Sequence, residues 1–330
     1  MKDNIKVSIC CTTYNHENYI KDALDSFLMQ KTNFKYEILI HDDASTDSTA
    51  KIIKEYEYKY PDIIKVIYQT ENQYCKNKKV SATFLYPRAK GKYIALCEGD
   101  DYWTDENKLQ LQVDFLENND DFALCVHAST MLDEETKETR LIRGYVNNKS
   151  IELKDFLSDY YNNKWMLFQT SSYVFRRQYV DELINQKPGY YYKACVGDLP
   201  LVLFMGTKGK IFFIDRVMSL YRIKTPSSWS KNEYSSNSKK INIAYNLKKM
   251  YNNFNELTSK KYNEEVKLFI NSLDASISLL NGNYRDVINN KIAFNRLSKR
   301  EKISVIINAF CPRLRNILKN IKYIIGEIVS

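Results

Sequence analysis

The stretch YIALCEGDDYW, residues 93–103, is a short apolar run that leads directly into three carboxylates. Its apolar half, residues 93–97, predicts a buried strand. Glu98, Asp100 and Asp101 then follow within four residues, where their negative charges repel one another unless a cation lies among them. Oxygen ligands of this kind suit Mg²⁺ or Mn²⁺, which also take oxygens from a substrate's phosphates. The stretch therefore predicts a strand that ends at a divalent-metal site, with a solvated acidic turn as the alternative.

Three further strands are predicted before this one, at residues 5–11, 36–41 and 63–68. Helical spacing follows the first strand, with Asn15 placed to cap that helix, and a second helix starts at Ser45 or Thr46. Alternation of strand and helix predicts parallel strands with helices packed on the sheet. Ligands bind such sheets at the carboxyl ends of the strands. Polar clusters stand at those ends here, at residues 12–15, 42–43 and 98–101.

The chain changes character after about residue 230, which predicts a catalytic domain at 1–230 and a mostly helical region at 231–330. Glycine becomes rare, and residues 231–330 hold 18 Lys and Arg against 8 Asp and Glu, within a whole-chain net charge of +9. Near the end, apolar residues recur at helical spacing from Ile303 to Ile328, and Arg313, Arg315, Lys319 and Lys322 flank them. A basic helix with an apolar face predicts contact with an anionic membrane. Docking on the catalytic domain or on a second subunit, as in a homo-oligomer, is an equal alternative.

Composition limits the location and the class of the protein. With 330 residues, 44% of them hydrophobic, the chain can bury one sizeable core. The apolar run near residue 5 is short and interrupted, so we expect no secretory signal, and no stretch of the sequence approaches the roughly 20 continuous apolar residues of a membrane-spanning helix. Its seven cysteines are scattered and show no CxxC spacing, which favours a reducing compartment. We therefore expect a cytoplasmic protein, with attachment to the inner face of the cell membrane as one alternative.

Three runs together resemble the family 2 glycosyltransferases of the GT-A fold. They are VSICCTTYNHENYIKDALDSFLMQ, YEILIHDDASTDST and AKGKYIALCEGDDYW, and the likeness extends over residues 5–230 in the same order and spacing. The resemblance implies an α/β protein with a Rossmann-like, mixed and mostly parallel sheet flanked by helices, followed by a C-terminal helical segment. It also implies inverting transfer of a hexosyl or N-acetylhexosaminyl group from a nucleotide sugar, such as a UDP-sugar, to an acceptor hydroxyl.

The resemblance assigns the donor site. Thr12 and Tyr14 match positions that line the nucleotide base, and Asp43 matches the carboxylate that reads the base, with Asp42 beside it. Asp100 matches the first acid of a DxD-type pair, near the ribose or the sugar. The two remaining acids belong to the predicted metal site. Asp101 matches the acid that binds Mn²⁺ or Mg²⁺ on the diphosphate, and Glu98 stands where many relatives have another aspartate.

The resemblance also assigns the catalytic base and a phosphate-binding loop. Asp198 is the predicted base, because the acceptor hydroxyl must lose a proton as it attacks; a helix N-cap is the structural alternative. Arg222 and Lys224 are predicted to pair with phosphate oxygens, in a loop that continues through residues 227–230. Relatives often have histidine at position 224. They also have an Arg-Asn pair near residues 82–83. This chain lacks that pair, and Lys78 and Lys79 are expected to supply the missing charge.

Other functions fit the sequence less well. The expected acceptor is a glycan or lipid-linked glycan in capsule, O-antigen or other cell-surface glycan synthesis, and a non-catalytic nucleotide-sugar-binding or scaffold protein is the alternative. A phosphatase with an aspartyl nucleophile needs an acid two positions after Asp42, and Ala44 stands there. Nucleic-acid binding is not expected, because no aromatic-rich recognition motif surrounds the basic residues. His16, His41 and His127 do not cluster, so each is expected to be structural.

Overall fold

The computed structural model describes residues 5–76, 79–162, 166–226 and 233–311. Its strands are β1 (Ile5–Thr13), β2 (Lys35–Asp42), β3 (Ile64–Tyr68), β4 (Tyr93–Leu96), β5 (Tyr102–Trp103), β6 (Phe122–Asp133), β7 (Thr139–Ile142), β8 (Lys149–Ile151), β9 (Val174–Arg176) and β10 (Lys210–Ile223). Its helices are α1 (Ile20–Leu28), α2 (Thr49–Lys59), α3 (Lys108–Glu117), α4 (Leu153–Asn162), α5 (Gln178–Gln186), α6 (Gly189–Tyr192), α7 (Asp198–Lys208), α8 (Asn237–Leu257), α9 (Asn263–Leu280), α10 (Tyr284–Asn289), α11 (Lys291–Arg296) and α12 (Lys299–Phe310).

The strands of the described residues form one mixed sheet in the order β3-β2-β1-β4-β9-β6-β10-β5, to which β7 and β8 add at the side. The pairs β3–β2, β2–β1, β1–β4 and β6–β10 are parallel, whereas β9 runs antiparallel to both of its neighbours. Parallel pairing brings the carboxyl ends of β1, β2 and β4 to one edge of the sheet. The polar clusters predicted from the sequence follow these three ends.

The core lies between this sheet and the helices packed on it. The central residues of β1 are buried on both faces, which suits its continuous apolar run. Helix α1 buries Ile20, Leu24 and Phe27 at helical spacing, and the Phe27 ring meets Trp103 edge-on with centroids 4.9 Å apart. Trp103 is itself 1% exposed. The residues just after the acidic cluster are therefore anchored in the core.

The predicted strands and helices of the first half are confirmed, but the predicted caps are wrong. Asn15 does not cap α1, which begins at Ile20; its φ of 54° places it in a turn instead. Helix α2 begins at Thr49, past Ser45 and Thr46. Each of these short polar side chains found a partner in a loop, as such residues commonly do.

The chain divides into two compact units, Met1–Asn232 and Glu233–Ser330. The second unit is helical in its described part, as expected for the C-terminal segment. Helices α8 and α9 pack through two stacked ring pairs, Tyr251 on Phe269 with centroids 4.5 Å apart and Phe254 on Tyr262 at 5.5 Å. Most of the predicted apolar stripe of the C-terminal region, from residue 312 onward, lies outside the described residues. Of the helices that are described, none has the length and apolarity needed to cross a membrane.

Candidate active site

The loops that follow β1 and β2 are joined by hydrogen bonds. The Asn15 amide donates to Ser45 Oγ at 2.9 Å, and the Thr46 amide donates to Asn15 Oδ1 at 2.8 Å. One residue further, the His16 amide donates to Thr49 Oγ1 at 2.8 Å. Asparagine tolerates the left-handed conformation that Asn15 adopts here. The two loops therefore form one connected wall beside the strand ends, with Tyr14 exposed on it.

Asp43 is buried, and its carboxylate is already used by a third loop. Oδ1 accepts the Gln73 amide at 2.8 Å and Oδ2 accepts the Tyr74 amide at 3.0 Å. Asp42 is buried as well and accepts hydrogen bonds from the amide and hydroxyl of Ser45. Burial raises the pKa of Asp42. Each oxygen of Asp43 keeps a second acceptor position, so its predicted role in reading the base stays a prediction.

The residues that follow β4 remain hydrogen-bonded to β1, so the acids from Glu98 onward lie at the carboxyl end of β1. The Cys97 amide donates to the Cys10 carbonyl at 3.3 Å, and the Gly99 amide donates to the Thr12 carbonyl at 2.9 Å. A Cβ added to Gly99 would lie 2.5 Å from Thr13 Oγ1 and 2.7 Å from Thr13 Cβ. Only glycine fits between the two strands at this point. The close approach fixes where Glu98 and Asp100 leave the sheet.

Four acids act on one another here, and we call Glu98, Asp100, Asp101 and Asp198 the acid cluster. Burial, then the charges of Asp100 and Asp198, raise the pKa of Glu98 to about 8. The Glu98 side chain is exposed to solvent at the surface of the site, although many protein atoms lie around its carboxylate. Asp101 is 1% exposed, and burial, Asp100 and Glu98 raise its pKa well above the usual range. Burial, followed by the charges of all four acids, also raises the pKa of Tyr221.

Two residues that the sequence did not single out contact Asp100. His16 Nε2 lies 3.8 Å from Asp100 Oδ2, and its Nδ1 lies 3.1 Å from Thr13 Oγ1. Thr225 donates its hydroxyl to the same Asp100 oxygen at 3.3 Å. The expectation that His16 is structural stays a prediction, because its ring is held by Thr13 and also lies beside Asp100. His16 comes five residues after the end of the first predicted strand, whereas nothing in the sequence pointed to Thr225.

Arg222 is positioned by the protein itself. Its amide donates to Asp101 Oδ1 at 2.9 Å, while its guanidinium donates to the Asp100 carbonyl at 2.7 Å and to Asp22 Oδ2 at 2.6 Å. Its Nε lies 3.0 Å from Glu134 Oε1. Arg222 therefore holds the acidic turn in place, and its predicted phosphate contact stays a prediction.

Lys224 also has a protein partner, and the loop beyond it is only partly described. Its ammonium lies 2.6 Å from Asp133 Oδ2, and this hydrogen bond raises the pKa of Lys224. The backbone at Lys224 has a φ of 61°. Residues 227–230, predicted to complete the phosphate loop, lie outside the described residues. The role of Lys224 toward phosphate stays a prediction too.

Asp198 is the first residue of α7, and its side chain is exposed. The N-cap position is Gly197, and no side chain caps this helix, so the cap alternative for Asp198 was wrong. Asp198 borders a small pocket of about 40 Å³. Aromatic and aliphatic side chains supply the other walls together with one amide, from Phe156, Tyr160, Leu167, Phe168, Gln169, Tyr173, Leu199 and Val202.

Tyr173 connects this pocket to the acid cluster. It is 3% exposed, and burial and then the charge of Asp198 raise the pKa of its phenol. Its main chain meets the end of β4, because the Leu96 amide donates to the Tyr173 carbonyl at 3.0 Å. The aromatic pocket and the acids thus share the same edge of the sheet. The sequence did not point to Tyr173 as a neighbour of Asp198 in this pocket.

The acids fit a divalent cation that brings further ligands with it. Within the described parts of the chain, no three His, Cys, Asp or Glu side chains are already grouped as a metal site. In addition to burial, however, Asp100 raises the pKa of both Glu98 and Asp101, and Glu98 also raises that of Asp101, which indicates negative charge without sufficient compensation nearby. Mg²⁺ and Mn²⁺ are commonly held by one or two carboxylates together with substrate phosphates and water. Asp101 and Glu98 suit that arrangement.

A mixed, mostly parallel sheet flanked by helices, with loops and acids at the ends of its parallel strands, is the architecture of the GT-A fold. The model of the family described as glycosyl transferase family 2 matches residues 8–184, and the chain belongs to this family. The predicted family, and with it the fold class, is confirmed.

Two curated relatives illustrate the range of the family. An uncharacterised protein of Mycobacterium bovis is 34% identical over 227 residues, 68% of this chain and 60% of that protein. The UDP-Glc:alpha-D-GlcNAc-diphosphoundecaprenol beta-1,3-glucosyltransferase WfaP of Escherichia coli is 37% identical over 111 residues, 34% of this chain and 41% of that enzyme. The chain therefore spans no more than about 60% of either relative.

Two solved structures share the fold. TarS of S. aureus, residues 1–349 in complex with UDP-GlcNAc, superposes with a TM-score of 0.57 at 16% identity, covering 92% of this chain and 82% of that one. The mannosyltransferase PcManGT of Pyrobaculum calidifontis, in complex with GDP-Man and Mn²⁺, gives a TM-score of 0.55 at 16% identity, covering 92% and 79%. At this identity the likeness is one of fold.

Proposed function

We propose that this chain is an inverting glycosyltransferase that moves a hexosyl or N-acetylhexosaminyl group from a UDP-sugar to an acceptor hydroxyl. The observation that carries the proposal is the acid cluster, in which the charge of Asp198 from α7 acts on Glu98 at the end of β4. One side of the cluster is suited to a metal-bound diphosphate and the other to an attacking hydroxyl. WfaP, named for its donor UDP-Glc, and the structure of TarS in complex with UDP-GlcNAc support a UDP-sugar as donor.

The donor half of the site is built from the β1 and β2 ends. Tyr14 is exposed beside Thr12, in position to cover a flat base, and the Asp43 carboxylate stands at the adjacent strand end. Asp101 and Glu98 would hold Mn²⁺ or Mg²⁺, which stabilises the charge that develops on the departing diphosphate. The Mn²⁺ named with PcManGT supports a divalent cofactor. Asp100, held by Thr225 and close to His16, is left to bind the ribose or sugar hydroxyls.

The acceptor half is built around Asp198. Its exposed carboxylate borders the aromatic pocket, in which Gln169 is the one amide. A pocket with mostly apolar walls and a few polar groups is typical of small-molecule sites. Asp198 takes the proton of the acceptor hydroxyl while the new bond to the anomeric carbon forms and the bond to the diphosphate breaks. Attack from the side opposite the leaving group inverts the anomeric configuration.

A lipid-linked glycan in cell-surface glycan synthesis is the acceptor class we propose, and an anionic phospholipid surface is the proposed partner of the second unit. We call Ile303, Ile306 and Phe310, which are 59%, 44% and 60% exposed, the apolar stripe of α12. Lys299 and Arg300 are exposed at the start of the same helix. Apolar side chains beside cations suit an anionic bilayer. WfaP is named for an acceptor linked to diphosphoundecaprenol, which supports such an acceptor here.

A nucleotide screen followed by turnover tests the catalytic proposal. Thermal unfolding of the full chain is measured with UDP, GDP, UDP-glucose and UDP-N-acetylglucosamine, each with and without Mn²⁺. We expect stabilisation by UDP and its sugars that depends on the metal and is lost in Asp101→Asn. Asp198→Asn should keep this stabilisation but lose at least about 100-fold in turnover, whereas Asp181→Asn in α5 should not. Metal-dependent binding without turnover by the wild type would favour the non-catalytic alternative.

Vesicle binding tests the membrane proposal. The full chain is mixed with vesicles of phosphatidylglycerol or of phosphatidylcholine and sedimented. We expect binding to the anionic vesicles only, and its loss when Ile303, Ile306 and Phe310 are all replaced by serine. Leu257→Ser, which removes another exposed apolar residue of the second unit, is the control. If the triple variant still binds the vesicles, the stripe does not bind lipid. If its oligomeric state changes while vesicle binding does not, the stripe contacts a second subunit instead.

A further inference from the structure

Lys79 donates two hydrogen bonds to the loop that leads into Asp198. Its Nζ lies 2.7 Å from the Ala194 carbonyl and 2.6 Å from the Val196 carbonyl. These carbonyls come four and two residues before Asp198, between the end of α6 and the start of α7. Lys79 itself lies in the segment after β3, more than a hundred residues away along the chain. The side chain therefore ties two distant segments together beside the acid cluster.

The surroundings of Lys79 strengthen this tie. The side chain is partly buried, its Nζ lies 5.7 Å from the centre of the Tyr191 ring, and burial lowers its pKa to about 8. A hydrogen bond from an ammonium to a carbonyl is stronger than one between neutral groups, and more so away from water. The sequence led us to expect a charge for the donor phosphates at this position. Both distances instead direct the ammonium toward the loop of the predicted base.

We infer that Lys79 is a positioning residue, which holds the segment 193–197 so that Asp198 faces the acceptor hydroxyl. This inference rests on the proposed role of Asp198 as the base. A carboxylate at the first position of a helix has no cap hydrogen bond of its own to orient it here, so the preceding loop determines its position. Displacement of a reacting group by about 1 Å is enough to lower a rate by about 100-fold.

Lys79 also lies in the chain segment that follows the base-reading loop. The amides of Gln73 and Tyr74 bind the Asp43 carboxylate, six and five residues before Lys79. One stretch of chain thus contacts both the predicted nucleotide site and the loop of the predicted base. If the inference holds, removal of the Lys79 ammonium should alter turnover without altering nucleotide binding.

The test compares Lys79→Met and Lys79→Arg with Lys76→Met. Lys76 is an exposed lysine of the same segment that pairs with Glu71, so its loss controls for charge. We expect Lys79→Met to lower kcat by about 10- to 100-fold, with KM for the UDP-sugar and the affinity for UDP with Mn²⁺ changed less than twofold. Lys79→Arg, which can also donate to two carbonyls, should recover most of kcat. Amide hydrogen exchange at residues 193–198 should accelerate in Lys79→Met alone.

A double-mutant cycle separates positioning from a general structural role. If Lys79 acts through Asp198, Lys79→Met should have no further effect on kcat in an Asp198→Asn background. Additive losses, a raised KM for the donor, or unchanged exchange at residues 193–198 would each overturn the inference. Failure of the proposed function looks different, because Asp198→Asn would then turn over as the wild type does, whatever the behaviour of Lys79→Met.

Discussion

Replacement of Arg222 by methionine should destabilise the first unit rather than weaken nucleotide binding directly. The Arg222 side chain is 8% exposed, and its guanidinium lies between two tyrosine rings, 5.0 Å from the Tyr19 centroid and 4.8 Å from that of Tyr102. Methionine fills much of the same volume but has no donor. The Asp100 carbonyl would lose its hydrogen bond, and Glu134, only 12% exposed, would keep Lys137 but lose the guanidinium nitrogen that lies 3.0 Å from its Oε1.

The cost follows from the burial of these groups. Removal of one partner of a buried ion pair typically lowers the free energy of unfolding by about 3–5 kcal/mol. Asp22 is 51% exposed, so its own pair with Arg222 adds little. For a unit of this size, each kcal/mol shifts the unfolding temperature by about 2–4 °C. We therefore expect Arg222→Met to lower the unfolding temperature of the first unit by roughly 6–20 °C.

Scanning calorimetry of the full chain measures this shift, with Arg140→Met as control because Arg140 is exposed on β7. Glu134→Gln in the Arg222→Met background should recover part of the loss, since it removes a carboxylate that has lost one of its two cationic partners. Lysine at position 222 should not restore stability, because one ammonium cannot replace the planar fork of donors. The reasoning is refuted if Arg222→Met unfolds within 2 °C of the wild type while its UDP affinity falls about tenfold. Arg222 would then be a phosphate ligand, as the sequence first suggested.

Two further predictions concern stability. Lys108 is fully buried, its ammonium finds no hydrogen-bond acceptor within the described residues, and burial lowers its pKa to about 7. Because the unfolded chain keeps that proton up to about pH 10.4, the free energy of unfolding should rise with pH between 7 and 10 by roughly 4 kcal/mol, and urea titrations of Lys108→Met should lack this rise. Gly99→Ala should cost about 1–3 kcal/mol in the same assay, through its clash with Thr13. Gly197→Ala, where an added Cβ meets nothing within 4 Å, should cost nothing, and equal effects of the two alanines would contradict the packing argument.

The strand ends were predictable from the sequence because each strand is a short apolar run followed at once by polar residues. Buried parallel strands require that pattern, and their register then brings Thr13 beside Asp42. The resemblance to a family added the roles expected of Asp43, Asp101 and Asp198. The strand pattern and the family motifs are both local features of the sequence, and together they were sufficient to outline the site.

The partners of individual side chains were not predictable, because they come from distant parts of the chain. Arg222 pairs with Asp22, which is 200 residues away, and Thr225 reaches Asp100 across 125 residues. The same holds for Lys79, whose acceptors are carbonyls and so leave no trace in the sequence. A charged residue in a conspicuous loop suggests a ligand, but only the fold shows whether the protein already uses that charge.

The reversed direction of β9 has a consequence for how such an enzyme can diversify. Because β9 runs against β4, its start at Val174 lies beside the end of β4 at Ala95, and the chain that enters it comes from the aromatic pocket. Residues 42–101 supply the acids proposed for the donor, whereas α4, α7 and residues 166–173 supply the walls around Asp198. If the proposed roles hold, a new acceptor requires the exchange of one contiguous stretch of chain, while the residues proposed to bind the activated sugar stay unchanged.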